Sequence, residues 1–545
     1  MSTFDPPKVT TASRLFAGAA ALFLAGGASA AAPPPAPKLI VAISVDQLSA
    51  QLFREYRPTF TGGLKRIADG IVFANGYQAH AATETCPGHS TILTGGHPAR
   101  TGIVANTWYD GSLARPDKSV YCSEDTSVPG STSRAYTVSD RHLKVDTLGD
   151  RMKAADPRTR VVAVGGKDRS AVMLGGHRPD QRWYWKTDRF VSTATVPAPR
   201  LVDAVNTNIA GAIARPRPAM AVPPHCTAKD VAIPIGGGKT VGTHKFARAA
   251  GEARAVLVSP EVDGATLAMA AALRQELRLG QGPQTDLLAI GLAGTDYVGH
   301  TYGTGGVEMC LQLATLDGDL ATFFEVLDRT RVPYAVVLTA DHGGLDLPER
   351  ARLQGTPDAA RIDPAITPEG LGERVAAELG LSGRVFAGEY YLTTDVPADR
   401  RAAALAAARR LLAGHPQVEA VFGKDEIAAV PMPATRPEDW SIPERFRASF
   451  DPARSGDLFV ALKQNITPIV DPTGGYVATH GSVWDYDRKV PIAFWWRGAP
   501  RQDRPESAMT VDIMPTLAAM VGLTLPADGY DGRCLGAVTN CPTAR

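Results

Sequence analysis

Six side chains of the sequence are of the two kinds that a zinc ion prefers, carboxylate oxygen and imidazole nitrogen. Asp296 and His300 stand four apart in Asp296-Tyr-Val-Gly-His300, a separation that puts two side chains on one face of a helical turn. Asp341 and His342 end an apolar run and precede Gly343-Gly344, a pair expected to let the backbone turn tightly around an ion. Asp46 ends another apolar run, and His480 lies in Ala478-Thr-His-Gly-Ser482. Three aspartates and three histidines suffice for two three-residue sites, each with a position left open for water or substrate. Taken singly, such short motifs are as often satisfied polar pairs as ligands. Their joint placement at the ends of apolar runs carries the weight.

A nucleophile is available beside them. In Thr83-Glu-Thr85-Cys-Pro-Gly-His-Ser90, Pro87 suits the first turn of a helix, which places Thr85 just before its N-terminus. Free backbone N–H groups and the positive end of the helix dipole favour an anion there. A hydroxyl is a weak nucleophile until a metal or a base activates it. A simple N-cap is the commoner fate of such a threonine, and Thr83 and Ser90 are rival hydroxyls.

These residues need a frame that brings them together. Leu39 to Val45, Arg160 to Val164, Asp286 to Leu292, Tyr334 to Thr339 and Ile492 to Trp496 are short, nearly continuous apolar runs, as expected of strands buried on both faces. Helical stretches such as Leu267 to Leu279 alternate with them. The alternation predicts an α/β fold with a mostly parallel central sheet flanked by helices on both faces. Open sheets of this kind gather ligands beyond the carboxyl ends of their strands, where Asp46, Lys167 with Arg169, Asp296 and Asp341-His342 all fall. Residues 351–467 read differently: a helix over 400–412, a strand over 418–422 and many prolines around 430–443 predict an inserted α+β cap. The catalytic core is then 38–350 and 468–545.

Taken together, Val45-Asp46, Thr-Glu-Thr85-Cys-Pro-Gly-His, Gly165-Gly-Lys167-Asp-Arg169, Gly294-Thr-Asp296-Tyr-Val-Gly-His300, Thr339-Ala-Asp341-His342-Gly-Gly, Thr479-His480-Gly and Val511-Asp-Ile-Met-Pro-Thr-Leu517 resemble the alkaline phosphatase superfamily. More narrowly, the chain is similar to the threonine-nucleophile, phosphate-irrepressible bacterial alkaline phosphatases of sphingomonad type. The resemblance implies two zinc ions per chain. One would be held by Asp46, Asp341 and His342 with Thr85, the other by Asp296, His300 and His480. It also implies Asn106 as a ligand of a phosphate oxygen, and Lys167 with Arg169 as the pair that marks monoesterases. The substrates implied are small phosphate monoesters, cleaved through a phosphothreonine. A nucleotide pyrophosphatase or phosphodiesterase of the same superfamily is the alternative enzyme, since it would share the zinc ligands and Thr85 without needing the cationic pair. An exported metal- or phosphate-binding protein is the alternative outside enzymes.

Charge and composition agree with a large soluble protein. Lys and Arg number 57 against 56 Asp and Glu, and 44% of residues are hydrophobic. A net charge of +1 gives no general attraction to nucleic acid, so no such partner is expected beyond nucleotide substrates. Residues 1–30 show a basic start, the apolar run Leu15 to Ala25 and Ala28-Ser-Ala30, the pattern of a cleaved signal, followed by a Pro/Ala linker over 31–37. Export to the periplasm or beyond is expected, without lasting membrane anchoring and as a monomer. In that compartment the six cysteines favour disulfides. Cys534 with Cys541 is the pair expected, the other pairings being open. His89, His97, His177, His225 and His244 are assigned packing or surface roles, and Trp183, Tyr184 and Trp185 core or cap packing in preference to a substrate entrance. Gly236-Gly-Gly-Lys239-Thr240 lacks the first glycine of a phosphate-binding loop and reads as a hairpin turn. Ser90 stands where a sulfatase pattern has arginine, which argues against that reading.

Overall fold

The computed structural model describes residues 36–193 and 198–542. The expected signal segment, and with it most of the linker, lies outside them. Among the described residues no helix is long and apolar enough to cross a membrane.

Ten strands form one sheet. They are β1 (Leu39–Val45), β2 (Ile71–Tyr77), β3 (Val161–Gly165), β4 (Gln181–Lys186), β5 (Arg189–Val191), β6 (Asp286–Leu292), β7 (Tyr334–Thr339), β8 (Lys489–Trp496), β9 (Gln502–Arg504) and β10 (Ala508–Met509). Their spatial order is β9-β2-β8-β7-β1-β6-β3-β4-β5, with β10 also paired to β2. All five apolar runs read as strands are in it. Alternate residues of β1 face opposite sides, as the two-residue period of a strand requires. Leu39, Val41, Ile43 and Val45 join the larger apolar core on one face, and Ile40 and Ala42 join a second core on the other.

The sheet is mixed rather than purely parallel. β1, β3, β4, β6 and β7 run parallel as neighbours, but β8 pairs antiparallel with both β7 and β2, and β5 antiparallel with β4. Burial on both faces gives β8 the same apolar run as its parallel neighbours, so its residues carry no mark of direction.

Register then fixes where the polar residues fall. Ser44 of β1 lies opposite Gly291 of β6 and Thr339 of β7, and Gly291 lies opposite Gly165 of β3. Four adjacent parallel strands therefore end level, each followed within a few residues by Asp46, Asp296, Asp341-His342 or Lys167-Asp168-Arg169. Three helices start there: α1 (Thr85–Thr94), α2 (Asp168–Gly175) after β3 and α3 (Gly294–Tyr302) after β6. Thr85 is the first residue of α1 and Glu84 its cap residue, so the helix starts one residue earlier than the sequence suggested.

Residues 351–467, expected as the cap, gather an apolar cluster of their own around Ile366, Leu371, Phe386 and Leu412. Within this segment Val418–Gly423 pairs antiparallel with Leu458–Leu462. The described residues as a whole form one compact unit. Gly236 to Lys239 close a hairpin, as read. All six cysteines are paired: Cys86 with Cys122, Cys226 with Cys310, and Cys534 with Cys541.

Candidate active site

The three aspartates and three histidines converge. Asp46 and Asp296 each approach the Lys167 ammonium, at 2.6 and 2.5 Å. The Nε2 atom of His342 lies 3.4 Å from Asp46 and 3.3 Å from Asp341, and those of His300 and His480 lie 3.3 and 3.4 Å from Asp296. Asp46, Asp341 and His342 present ligand atoms close enough to share one cation, and Asp296, His342 and His480 form a second such group. His300 is on α3 one turn after Asp296, as its spacing predicted, and its ring centroid is 5.0 Å from that of His480.

Each imidazole is aimed by a backbone contact. The Nδ1 atoms of His300, His342 and His480 sit 2.9, 2.8 and 2.8 Å from the carbonyl oxygens of Ala478, Gly343 and Thr83. Donation through Nδ1 leaves every Nε2 as the free ligand atom, the arrangement by which metal-binding histidines are oriented. Asp46 Oδ1 and His342 Nε2 have no hydrogen-bond partner although fully buried, while Asp46 Oδ2 and Asp341 Oδ2 are met by ion-pair contacts with Lys167 and His89. Buried polar atoms without such partners are costly, and this donor set, imidazole with carboxylate, fits zinc.

The electrostatics point the same way. Burial raises the Asp46 carboxyl, and the Asp341 charge raises it further. Burial acts against charge on His342 too, yet Asp341 and Asp46 outweigh it and lift the imidazole to about 9. His480 falls to about 3 through burial and the neighbouring His342. Asp296 is depressed despite burial, by His300 and Lys167. A cluster of carboxylates that draws a proton onto a buried imidazole is one that attracts positive charge.

Thr85 faces this cluster from α1. Its Oγ1 lies 3.3 Å from Lys167 Nζ and 3.5 Å from Arg169 Nη2. Burial opposes charge on both cations but is outweighed, by Asp296 and Asp46 at Lys167 and by Tyr121 and Tyr297 at Arg169. Tyr121 also accepts a hydrogen bond from Arg169, and both Tyr121 and Tyr136 donate to Asp168. Asn106 is at the same helix start: its Oδ1 accepts from Cys86 N at 2.8 Å, and its own N–H donates to Glu84. The Cys86–Cys122 disulfide ties that first turn to the strand Ser119–Tyr121 and the residue after it.

Several contributors escaped the sequence reading. His89, assigned to packing, has Nδ1 3.0 Å from Asp341 and 2.9 Å from the Thr85 carbonyl oxygen, so it orients a ligand and the nucleophile's turn together. Gln47 bridges the two ligand groups: its backbone N–H donates to Asp341 and its side chain to Asp296. It does so at φ 66°, a conformation uncommon outside glycine and of the kind stored at functional sites. Following Asp46 at a strand end was its only signal. Glu389, from the 351–467 segment, is hydrogen-bonded to Glu84, and burial with that neighbour holds its carboxyl well above the usual range.

Two glycine roles are also clearer. A Cβ on Gly88 would meet the Asp341 carbonyl oxygen at 1.9 Å, so only glycine lets α1 lie against the ligand loop. Gly343, expected to let the backbone turn tightly around an ion, has no positive φ. It is needed because a Cβ there would meet the Tyr486 carbonyl oxygen at 2.1 Å. Trp183, Tyr184 and Trp185 are buried in β4, as read, although Tyr184 and Trp185 also line the open cleft beside Lys167 and Arg169.

Comparison with known proteins adds to this geometry. The family described as type I phosphodiesterase / nucleotide pyrophosphatase matches residues 40–483. The chain is 51% identical to alkaline phosphatase PhoK of Sphingomonas sp., over 92% of this chain and 91% of that protein. It is 47% identical to alkaline phosphatase PhoD of Zymomonas mobilis subsp. mobilis, over 93% and 89%. The crystal structure of wild-type alkaline phosphatase PafA superposes with a TM-score of 0.79 at 26% identity, covering 93% of this chain and 99% of that one.

Proposed function

The chain belongs to the type I phosphodiesterase / nucleotide pyrophosphatase family and is an alkaline phosphatase, and on that premise we propose that it cleaves phosphate monoesters through a phosphothreonine on Thr85, with two zinc ions. Asp46, Asp341 and His342 with Thr85 would hold one ion, and Asp296, His300 and His480 the other. Zinc there supplies Lewis acidity: it lowers the pKa of a bound hydroxyl or water and offsets charge on a departing oxygen.

The chain's own groups define the rest. Thr85 Oγ1 attacks phosphorus, the bond to the substrate alcohol breaks, and the phosphoryl group is left on the threonine. Water then attacks the same phosphorus, the Thr85 Oγ1–P bond breaks, and inorganic phosphate leaves. Lys167 and Arg169, which flank Oγ1, suit the charge spread over the outer oxygens of the transferring group. Asn106, whose Oδ1 is taken by Cys86 N–H, keeps its side-chain NH2 as a neutral donor at the start of α1. A monoester offers these cations a dianion, whereas a diester has lost one charged oxygen to a substituent, which favours monoesters.

One observation carries the reading: Thr85 Oγ1 lies beside Lys167 and Arg169, and the same Lys167 ammonium contacts Asp46 and Asp296 of the acid and imidazole cluster. Acid quenching during turnover, followed by peptide mass spectrometry, should find phosphate on Thr85. Thr85→Ala should lose that label and nearly all turnover while retaining zinc by elemental analysis. Undiminished turnover in that variant would refute the nucleophile. We further assign the protein to the periplasm or the exterior. The signal-like N-terminus and the three disulfides support export.

A further inference from the structure

A cavity of about 490 Å³ lies between the 351–467 segment and the sheet domain, and His480 is part of its wall. That volume is within the range of roughly 300–1,000 Å³ usual for small-molecule sites. Its outer wall is apolar and comes from the segment. Phe446 and Phe459 pack with ring centroids 5.3 Å apart, and Val460 follows on the strand Leu458–Leu462. Glu84 and His480 form the end nearest the catalytic groups. His480 approaches Asp296 at 3.4 Å and stacks on His342 at 3.6 Å, while Glu84 directly precedes Thr85.

The charges around the cavity narrow what it accepts. Glu84 and Glu369 line it against one cation, Lys463, while Glu389, whose carboxyl is held well above the usual range by burial and Glu84, retains its proton there. A leaving group bearing a second phosphate or a carboxylate would meet that acidic excess. An uncharged ring or alkyl group would displace water from apolar wall, which is favourable in proportion to the area covered. A phosphoryl group held by Thr85, Lys167 and Arg169 has its ester oxygen directed away from the nucleophile in an in-line displacement, and His480, beside Asp296, is part of the cavity's wall.

We infer that this cavity receives the alcohol portion of the substrate and selects uncharged, apolar groups of about bicyclic aromatic size over small polar ones. The inference rests on the monoesterase reading above. It names a substrate class for that site: phosphate monoesters of apolar aryl or arylalkyl alcohols.

The test compares ethyl phosphate with 2-(1-naphthyl)ethyl phosphate, whose leaving oxygens are similarly basic. The wild-type protein, loaded with zinc, should show a kcat/KM ratio favouring the naphthyl ester by about 10-fold or more, since one well-placed apolar group is worth roughly 10- to 200-fold in a pocket. Val460→Trp, which fills the cavity from its outer wall, should lower the ratio about 10-fold. Val460→Phe should lower it by an intermediate amount and serves if the tryptophan variant does not fold. A wild-type ratio near one, or a ratio unmoved in folded filling variants, overturns the cavity assignment. Hydrolysis of diesters with neither monoester turned over overturns the monoesterase reading instead.

Discussion

Arg169 is a half-buried guanidinium next to a hydroxyl, and its value depends on what the substrate offers it. A hydrogen bond to a charged group contributes about 1.5–3 kcal/mol, so Arg169→Ala should lower monoester kcat/KM by roughly 10- to 100-fold. A diester loses less, because it presents one charged oxygen fewer. The ratio of nitrophenyl monoester to diester hydrolysis should therefore fall, and an equal loss on both would remove Arg169 from discrimination. His89 acts at one remove. Its 3.0 Å contact orients Asp341, and loss of such a supporting partner typically costs about 10- to 100-fold in metal affinity. His89→Ala should show that loss in chelator competition while its melting curve remains cooperative. The two residues also differ in how legible they were. Arg169 sits five residues past an apolar run, in a motif whose chemistry is written in adjacent letters. His89 works through a contact with Asp341, far away in the chain, and nothing near it in sequence announces that partner. Gln47 was hidden for the same reason, with its backbone conformation adding information no residue type carries.

Among the elements, β1, β6 and β7 were readable to the residue because burial on both faces writes an uninterrupted apolar run, and their level carboxyl ends followed from parallel pairing. Direction was not readable for β8, and the short strands β9 and β10 lack any run long enough to register. The helix Ile513–Met520 shows how an element end also couples to pH. Asp512, buried before it, accepts from Met509 N and Arg533 N, each at 2.8 Å. Burial outweighs those hydrogen bonds and raises its carboxyl from 3.8 to about 6. A folded pKa above the unfolded one means the folded state retains the proton longer. Its stabilising effect is complete below about pH 4, is lost as pH rises through about 6, and is absent above that. The span corresponds to about 3 kcal/mol. Asp512→Asn cannot ionise and keeps an acceptor, so its melting temperature relative to wild type should climb between pH 4 and pH 7 and then level off. A difference independent of pH would show that Asp512 is not the titrating group.

For the molecule as a whole, the site is a junction of distant segments: Asp46 after β1, Thr85 on α1, Lys167 before α2, Asp296 on α3, Asp341 after β7, and His480 before β8. Three buried carboxylates brought together repel one another, and among the described groups only Lys167 contacts both Asp46 and Asp296. Cations that bind the folded chain and not the unfolded one stabilise it by mass action, about 2.7 kcal/mol per site at a free concentration 100 times the dissociation constant. Two filled sites then contribute about 5 kcal/mol. In a chain of this size, where each kcal/mol moves the midpoint by a few degrees at most, removal of metal should lower the melting temperature by roughly 5–10 °C. Chelation leaves the Cys86–Cys122, Cys226–Cys310 and Cys534–Cys541 bonds intact, so the metal-free protein should still melt cooperatively, with far-ultraviolet circular dichroism unchanged at 25 °C. Zinc returned in slight excess should restore midpoint and turnover at the same stoichiometry. An unchanged midpoint after elemental analysis has verified metal removal would mean that these ligands do not depend on a cation to stay together, and the two-zinc reading would fail with it.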